Sequence, residues 1–473
     1  MDVNRRTVLK GGAAAGAAGL GGAALLRDSE ADVSRSADWG DQDTDPEPYE
    51  DFERHVVGEA GVLDGVDGAL EPVGYYDSIQ GAVDAASERD LILVSPGVYH
   101  EEVKVDDTPN LTIRGLDRQD VILDGEYEMS TGIDITADGV VVENLTIRNY
   151  SARGVYWVST SVDDPISGYR GSYLTAHNIG VYAIYTYNGQ YGRFEHCYAS
   201  GCDDAGFYIG ESQPADAVIT DCIAENNAMG YSGTNAGGGL VIENSIWRKN
   251  MVGIVPNTLD SQAGAPQGHI DGGIRIDSNE IYDNNNLEAP ATANAYAMHG
   301  CGVAIAGGLQ NDVVDNTIED QKKYGVVVFP MITDTTPGSL PGRILKGHLP
   351  FLSDEHFYKP KDNAVQDNEV SGSGRADLAL ASPASGNTFS GNDVGNTRPA
   401  LLQHRDGSYG DPMVFLQVLR DFAQTEVGSF PQGHSEDQPA PDPETVRDEL
   451  DEYEMDDPAG TPPAPPLGGL SDE

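Results

Sequence analysis

A glycine returns before a short apolar strand seven times along this chain: Gly154-Val155-Tyr156-Trp157, Gly180-Val181-Tyr182-Ala183, Gly206-Phe207-Tyr208-Ile209, Gly230-Tyr231-Ser232-Gly233, Gly253-Ile254-Val255-Pro256, Gly302-Val303-Ala304-Ile305 and Gly325-Val326-Val327-Val328. The intervals are 26, 26, 24, 23, 49 and 23 residues, and 49 is close to twice its neighbours. A unit this short has no room for two strands and a crossover helix, which need about 30 residues or more. Short strands at such a period stack into a solenoid, in which each unit buries its apolar side only against its neighbours. One such array absorbs most of the 473 residues without separate cores.

The charge restricts the partners. Asp and Glu number 77 against 28 Lys and Arg, a net charge of -49; 49 of the acids are Asp and only eight of the bases are Lys. Such a chain is not expected to bind nucleic acid or an anionic membrane. The strand repeats rule out disorder for its middle, leaving a folded protein kept soluble by its charge. At molar salt the screening length falls to about 3 Å and such self-repulsion is tolerated, so a salt-adapted source is expected.

The two ends read differently from the repeats. Residues 1–27 resemble a twin-arginine export signal: Arg5-Arg6, then a weakly apolar Gly, Ala and Leu stretch to Leu26. The resemblance implies folded export to the cell surface or beyond, with an uncleaved signal as the one expected membrane contact. No Cys follows it, so a lipid anchor is not supported. Residues 28–72 read as an acidic linker, 73–397 as the solenoid and 398–430 as a C-terminal segment with a helix. Residues 431–473, with eleven carboxylates between 436 and 457 and a Pro-rich end, read as a disordered tail.

Two helical patterns bracket the repeats. Ser78 is a plausible N-cap before Ile79, Val83 and Ala86, which share one face and would close the first coil. Asp411-Pro412 opens a second helix with Val414, Phe415, Val418, Leu419 and Phe422 at helical spacing. Caps of this kind keep sheet edges from templating aggregation. Between them, Leu91–Val94, Leu111–Arg114 and Val121–Leu123 follow the first helix as strands. From these features the stretch from about 75 to 397 resembles the right-handed parallel β-helix superfamily that includes pectate lyases, in a haloarchaeal type. That resemblance implies an all-β parallel β-helix solenoid with an N-terminal capping helix and leaves the activity open. Residues 168–256 also resemble bacterial and archaeal β-helix proteins whose role is not specified.

Several residue groups are candidates for chemistry or binding. Alternation places Tyr156, Tyr182 and Tyr208 in one outward column, an aromatic ladder suited to stacking on sugar rings. A cover of loop or helix over that ladder is the structural alternative. The interval from Gly253 to Gly302 reads as one coil with two extra loops, roughly 257–273 and 285–300, and a longer excursion runs from 330 to 360. Five of the seven lysines outside the signal lie between 322 and 361, with Arg343. Arg343, Lys346 and Lys359 are the candidates for gripping an anionic sugar such as a uronate; ion pairing with the protein's own acids is nearly as well supported. Asp203-Asp204 is the candidate catalytic pair, faintly similar to the paired Asp of polygalacturonases, and its alternatives are solvated charge or Ca2+ ligation. The Arg-x-Pro-x-x-Arg segment of pectate lyases and the Asp-Pro-His motif of alginate epimerases are absent. Coil counting separates Asp204 from Lys323 by about 19 Å unless a loop folds back.

Asn226, Asn250 and Asn284 recur at a turn and read as a structural amide ladder. Cys197 and Cys222 stand in adjacent coils, within disulfide reach but read as buried thiols. No cofactor and no metal centre are expected, Ca2+ apart. The sequence thus points to an exported protein that binds, or binds and cleaves, an extracellular polysaccharide, acidic by expectation. The alternative is a non-catalytic surface, structural or accessory β-helix protein.

Overall fold

The computed structural model describes residues 53–59, 72–159, 161, 164–257, 272–291, 293–332, 357–405, 407–426, 433–442, 444, 446 and 450. The export signal, most of the linker, Arg343, Lys346, the interiors of the loops after 257 and 332, and residues 451–473 lie outside them. The chain forms a right-handed parallel β-helix with three long sheets, of 13, 11 and 11 strands, called A, B and C in the order each coil visits them. One coil runs Arg193–Glu195 in sheet A, Tyr198–Ser200 in B and Ala205–Gly210 in C. Inward side chains form a continuous apolar core that includes Ile113, Val155, Trp157, Phe194, Phe207, Trp247 and Val326. No helix among the described residues is long and apolar enough to cross a membrane.

The corners explain much of the composition. At the A-to-B corner the residue after the strand is left-handed in coil after coil: Asn144, Tyr173, His196, Asp221, Asn244, Ser278, Asp315, Asp367. The B-to-C corner repeats this with Asn149, Asn178, Gly201, Asn226, Lys249, Asp283, Asp320 and Gly372. Asn, Asp and Gly enter that conformation most readily. The excess of Asp over Glu is therefore partly a requirement of the turns, beyond any adaptation to salt.

The residue after each left-handed corner points inward, which corrects one expectation. Asn227, not Asn226, is the ladder member: its Nδ2 donates to Asn250 Oδ1 at 3.0 Å, and Asn250 Nδ2 donates to Asn284 Oδ1 at 3.0 Å. A second ladder runs through Asn279, Asn316, Asn368 and Asn392. Cys197 and Cys222 occupy the equivalent inward column at the A-to-B corner, and all four cysteines are buried free thiols.

A first helix, α1 (Ile79–Val83), caps the open first coil, with Ser78 Oγ accepting from Gly81 N at 3.0 Å. Within the stretch expected to be linker, Arg54–Val57 instead joins sheet A between Gly74–Tyr76 and Leu91–Val94. The long interval after Gly253 is a single coil, because Ile254 pairs with Val303. Its second excursion carries α2 (Ala293–Met298), which packs with α3 (Pro412–Glu426) over the outer face of sheet C. There Val255, Ala304, Val327 and Ala379 point outward and meet Val414, Phe415 and Val418. The helix at Asp411-Pro412 thus covers the flank of the later coils, with Asp411 Oδ1 accepting from Met413 N.

Candidate functional site

The part of sheet C before the α2–α3 cover carries the tyrosines, in a register the glycine spacing misplaces. Tyr156 pairs with Tyr185, and Tyr185 with Tyr208; Tyr182 pairs with Arg153 and Ala205, one outward column away. The counterpart of Gly154 is Ala183, three residues beyond Gly180. The position favours glycine because the next coil's carbonyl comes close: a Cβ on Gly154 would lie 2.4 Å from Ala183 O, and one on Gly206 3.2 Å from Gly230 O. The coil with Ala183 manages without glycine, so the marker slips there. The outward column reads Lys104, Asp134, Tyr156, Tyr185, Tyr208, Ser232, then the apolar residues beneath α3.

The rings form one cluster. Tyr156 and Tyr185 are stacked, centroids 4.4 Å apart and 12° from parallel, and the Arg153 guanidinium lies 4.5 Å from the Tyr156 centroid. Two groups that close must use opposite faces of Tyr156. Tyr182 packs 4.6 Å from both Tyr185 and Tyr208. The flat ladder expected to stack on sugar rings instead turns its faces onto itself, and its hydroxyls are engaged within the protein: Tyr182 with Asp204, Tyr208 with Thr234 and Tyr156 with Tyr185. Tyr185 and Tyr208 are each only 7% exposed, whereas Tyr156 and Tyr182 are half-buried.

Asp203 and Asp204 sit where the chain turns from sheet B into the strand Ala205–Gly210. Both are half-buried. Burial, then the neighbouring Asp203 charge, pushes the Asp204 carboxyl up to about 7, while a hydrogen bond from the Tyr182 hydroxyl opposes the rise. Burial raises Asp203 to about 6, with the Ser435 N–H and hydroxyl and His434 holding it down. The Ser435 N–H donates to Asp203 Oδ1 at 3.1 Å across 232 residues of sequence. Tyr296 of α2 lies close enough for the Asp203 charge to raise its phenol further than burial does alone.

Ser435 belongs to the stretch expected to be a disordered tail. Residues 433–442 instead lie across the B-to-C corner. Gly433 bridges Pro290, Gln438 Nε2 donates to Glu288 O at 3.0 Å, and Asn178 Nδ2 donates to Ser435 O and Gln438 O at 2.9 and 2.7 Å. Further on, Val446 and Leu450 pack against Tyr198 and Ile223 on the outer face of sheet B. The acidic composition concealed two apolar anchors and a backbone that the corner residues can grip.

Of the basic candidates only Lys359 lies among the described residues, and neither it nor Lys323 joins the tyrosines. Lys359 is exposed beside the strand pair Met331–Ile332 and Phe357–Tyr358, with the coils of Ser232 and Val255 between it and Tyr208. Lys323 pairs with Asp421 of α3 at 2.9 Å, and Arg375 grips the same carboxylate at 2.7 and 3.2 Å. The excursion that carries α2 does fold back: Lys323 Nζ donates to Ala297 O at 3.2 Å, one residue from Tyr296. Its charge is nonetheless committed to α3. Among the described residues, Arg153 lies against the Tyr156 ring and His434 lies near Asp203. Among the described residues no three His, Cys, Asp or Glu side chains group as a metal site.

A family model for right-handed β-helix regions matches residues 164–330. No curated protein matches the chain in sequence. Among solved structures the chain is similar to the A-module of the mannuronan C-5 epimerase AlgE4 of Azotobacter vinelandii, at 14% identity and a TM-score of 0.44, over 67% of this chain and 90% of that one. It is also similar to the pectate lyase Pel9A, at 14% identity and a TM-score of 0.39, over 84% and 89% of the two chains. A third similar structure is the Dettilon tailspike protein, at 13% identity and a TM-score of 0.44, over 72% and 68%. At these identities the likeness concerns the fold alone.

Proposed function

We propose that this chain is an exported protein of a salt-adapted organism that binds an extracellular polysaccharide along the outer face of sheet C and cleaves it with Asp203 and Asp204. One observation carries the reading: two adjacent carboxyls lie half-buried at the turn into the strand Ala205–Gly210, beside the ring cluster, where burial pushes Asp203 up to about 6 and Asp204 up to about 7, on either side of the pH at which a proton must be both taken and given. Beside them Asp134, Tyr156, Tyr185 and Tyr208 follow one another along the solenoid axis, with Arg153 against the Tyr156 ring, the elongated shape a sugar chain requires. Arg5-Arg6 and the net charge of -49 support export and salt adaptation.

In the catalytic step Asp204, protonated near neutrality, gives its proton to the glycosidic oxygen as that bond breaks. Asp203, ionised, takes a proton from the attacking water or from the sugar ring; the first route is hydrolysis and the second is elimination. Ionised uronates would find Arg153 beside the tyrosines, and Arg343, Lys346 and Lys359 remain candidates for such a charge. The rival non-catalytic reading draws on the same Asp203, which the C-terminal strap partly covers. Incubation with neutral and acidic polysaccharides in high salt, following both binding and chain cleavage, separates the two. Cleavage lost in Asp204→Asn with binding kept supports the enzyme; binding with no cleavage of any polymer by the wild type supports the rival.

A further inference from the structure

Two neighbouring aspartates of one sequence dipeptide need something to divide their roles, and the strap supplies an asymmetry. Asp203 receives the Ser435 N–H at 3.1 Å; Asp204 faces the Tyr182 hydroxyl instead. Ser435 is only 4% exposed, so its donor is directed at Asp203 with little competition from water. Its placement traces back to Asn178, whose side-chain amide grips the carbonyls on either side of the strap's turn.

Asn178 is itself oriented. His177 Nδ1 lies 2.7 Å from Asn178 Oδ1, and burial pushes the His177 imidazole down to about 4, so it is neutral at pH 7. Its Nδ1–H therefore donates to Oδ1 and leaves the Asn178 amide hydrogens for the strap. A chain of directed hydrogen bonds runs from His177 to Asn178, through the strap backbone, to Asp203. Gly201 makes room for it: a Cβ there would meet Gln438 at 3.1 Å.

We propose that the strap residues 433–438 are a working part of the site and that Ser435, held by Asn178, is a positioning residue that keeps Asp203 ionised and leaves the proton on Asp204. Asp203 is then the base and Asp204 the acid. This inference rests on the catalytic reading above for its role in the reaction, but the ionisation it describes is measurable without any substrate. The titratable groups facing Asp203 are Asp204, Cys202, Tyr127 and Tyr296 from the solenoid and α2, with His434 and Glu436 from the strap, and Tyr182 faces Asp204. Of these, His434 is exposed; the directed N–H from the buried Ser435 is the contact specific to Asp203.

The test uses the full chain labelled with 13C at Asp carboxyls, comparing the wild type with Ser435→Ala and Ser435→Pro. Proline suits this position, the first of a short helical turn, and removes both donors, whereas alanine removes the hydroxyl alone. The lower apparent ionisation of the pair should rise by roughly one pH unit in Ser435→Pro and by less in Ser435→Ala, with the acid limb of the pH–activity profile moving by the same amount. An unmoved carboxyl titration in a folded Ser435→Pro overturns the assignment, whatever the activity. Should that variant not fold, an unmoved titration in Ser435→Ala overturns it. A moved titration in a protein that cleaves no polysaccharide upholds the hydrogen-bonded division of the pair and refutes the catalytic reading instead.

Discussion

Replacing Asp204 by Asn keeps the side chain's shape and removes its charge, which makes stability against pH a direct readout of the site. The carboxyl ionises at about 7 in the folded chain and at 3.8 in its reference state. Between those values the folded protein holds a proton that the unfolded chain has released. The unfolded state therefore binds fewer protons, and stability falls as pH rises from about 4 to about 7, then levels off. Three pH units at about 1.36 kcal/mol each set a ceiling of about 4 kcal/mol. Because Asp204 is half-buried, solvent reduces this to about 2 kcal/mol. Asp204→Asn should match the wild type near pH 4 and exceed it by about 2 kcal/mol at pH 8, seen as a thermal midpoint higher by a few degrees. Asp203 contributes in the same direction and remains in the variant, so some pH dependence persists. Molar salt leaves most of the effect, since a half-buried pair is screened less than exposed charge. Parallel curves for the two proteins across pH 4–8 would show that burial does not perturb this carboxyl, and the acid–base argument would fall with it.

Other perturbations probe the scaffold and the face. Asn250 is fully buried in the amide ladder, so Asn250→Leu takes the acceptor from the Asn227 backbone N–H and weakens the ladder on both sides, and should lower stability by about 3 kcal/mol in denaturant titration. Asp421→Ala strands Lys323 and Arg375 and should loosen α3 by about 2–4 kcal/mol, raising amide exchange within Pro412–Glu426 while the inner sheets stay protected. Tyr185→Ala opens the ring cluster at its centre; polysaccharide affinity should drop by roughly tenfold, and an unchanged affinity would remove the tyrosines from the binding face. The four buried cysteines should resist thiol reagents in the folded protein and react on unfolding, with all four titrating as free thiols.

The solenoid was legible because each coil must satisfy the same local demands, and those demands repeat in the sequence. Apolar residues at alternate inward positions, the glycine under the next coil's carbonyl and the Asn or Asp at the left-handed corner all recur at one period. The register failed at one coil, where Ala183 takes the place of a glycine and three extra residues precede the strand. That single slip put Tyr182 in the column that belongs to Tyr185. Asp203 and Asp204 were found as a pair and the tyrosines beside them, but not the contact between Tyr182 and Asp204. Arg153, Tyr296 and Ser435 were missed for a common reason. Tyr296 and Ser435 reach the site through tertiary contacts between distant segments, and Arg153 through a side chain laid on its own strand's Tyr156; none of these contacts leaves a period in the chain. The strap was concealed twice over, since acid-rich composition resembles disorder while Val446 and Leu450 are too sparse to read as a packing face.

The central claim is that Asp203 and Asp204 act together on a polysaccharide bound to the outer face of sheet C. The most direct measurement is reducing-end release and unsaturated-product absorbance from a panel of neutral and uronate polysaccharides in high salt, across pH 5–8, for the wild type and Asp204→Asn. The account predicts that at least one polymer is cleaved with a maximum between about pH 6 and 7, set by the two carboxyls, and that Asp204→Asn still binds it but loses cleavage. Cleavage that survives intact in Asp204→Asn, or a wild type that neither binds nor cleaves any member of the panel, would contradict it.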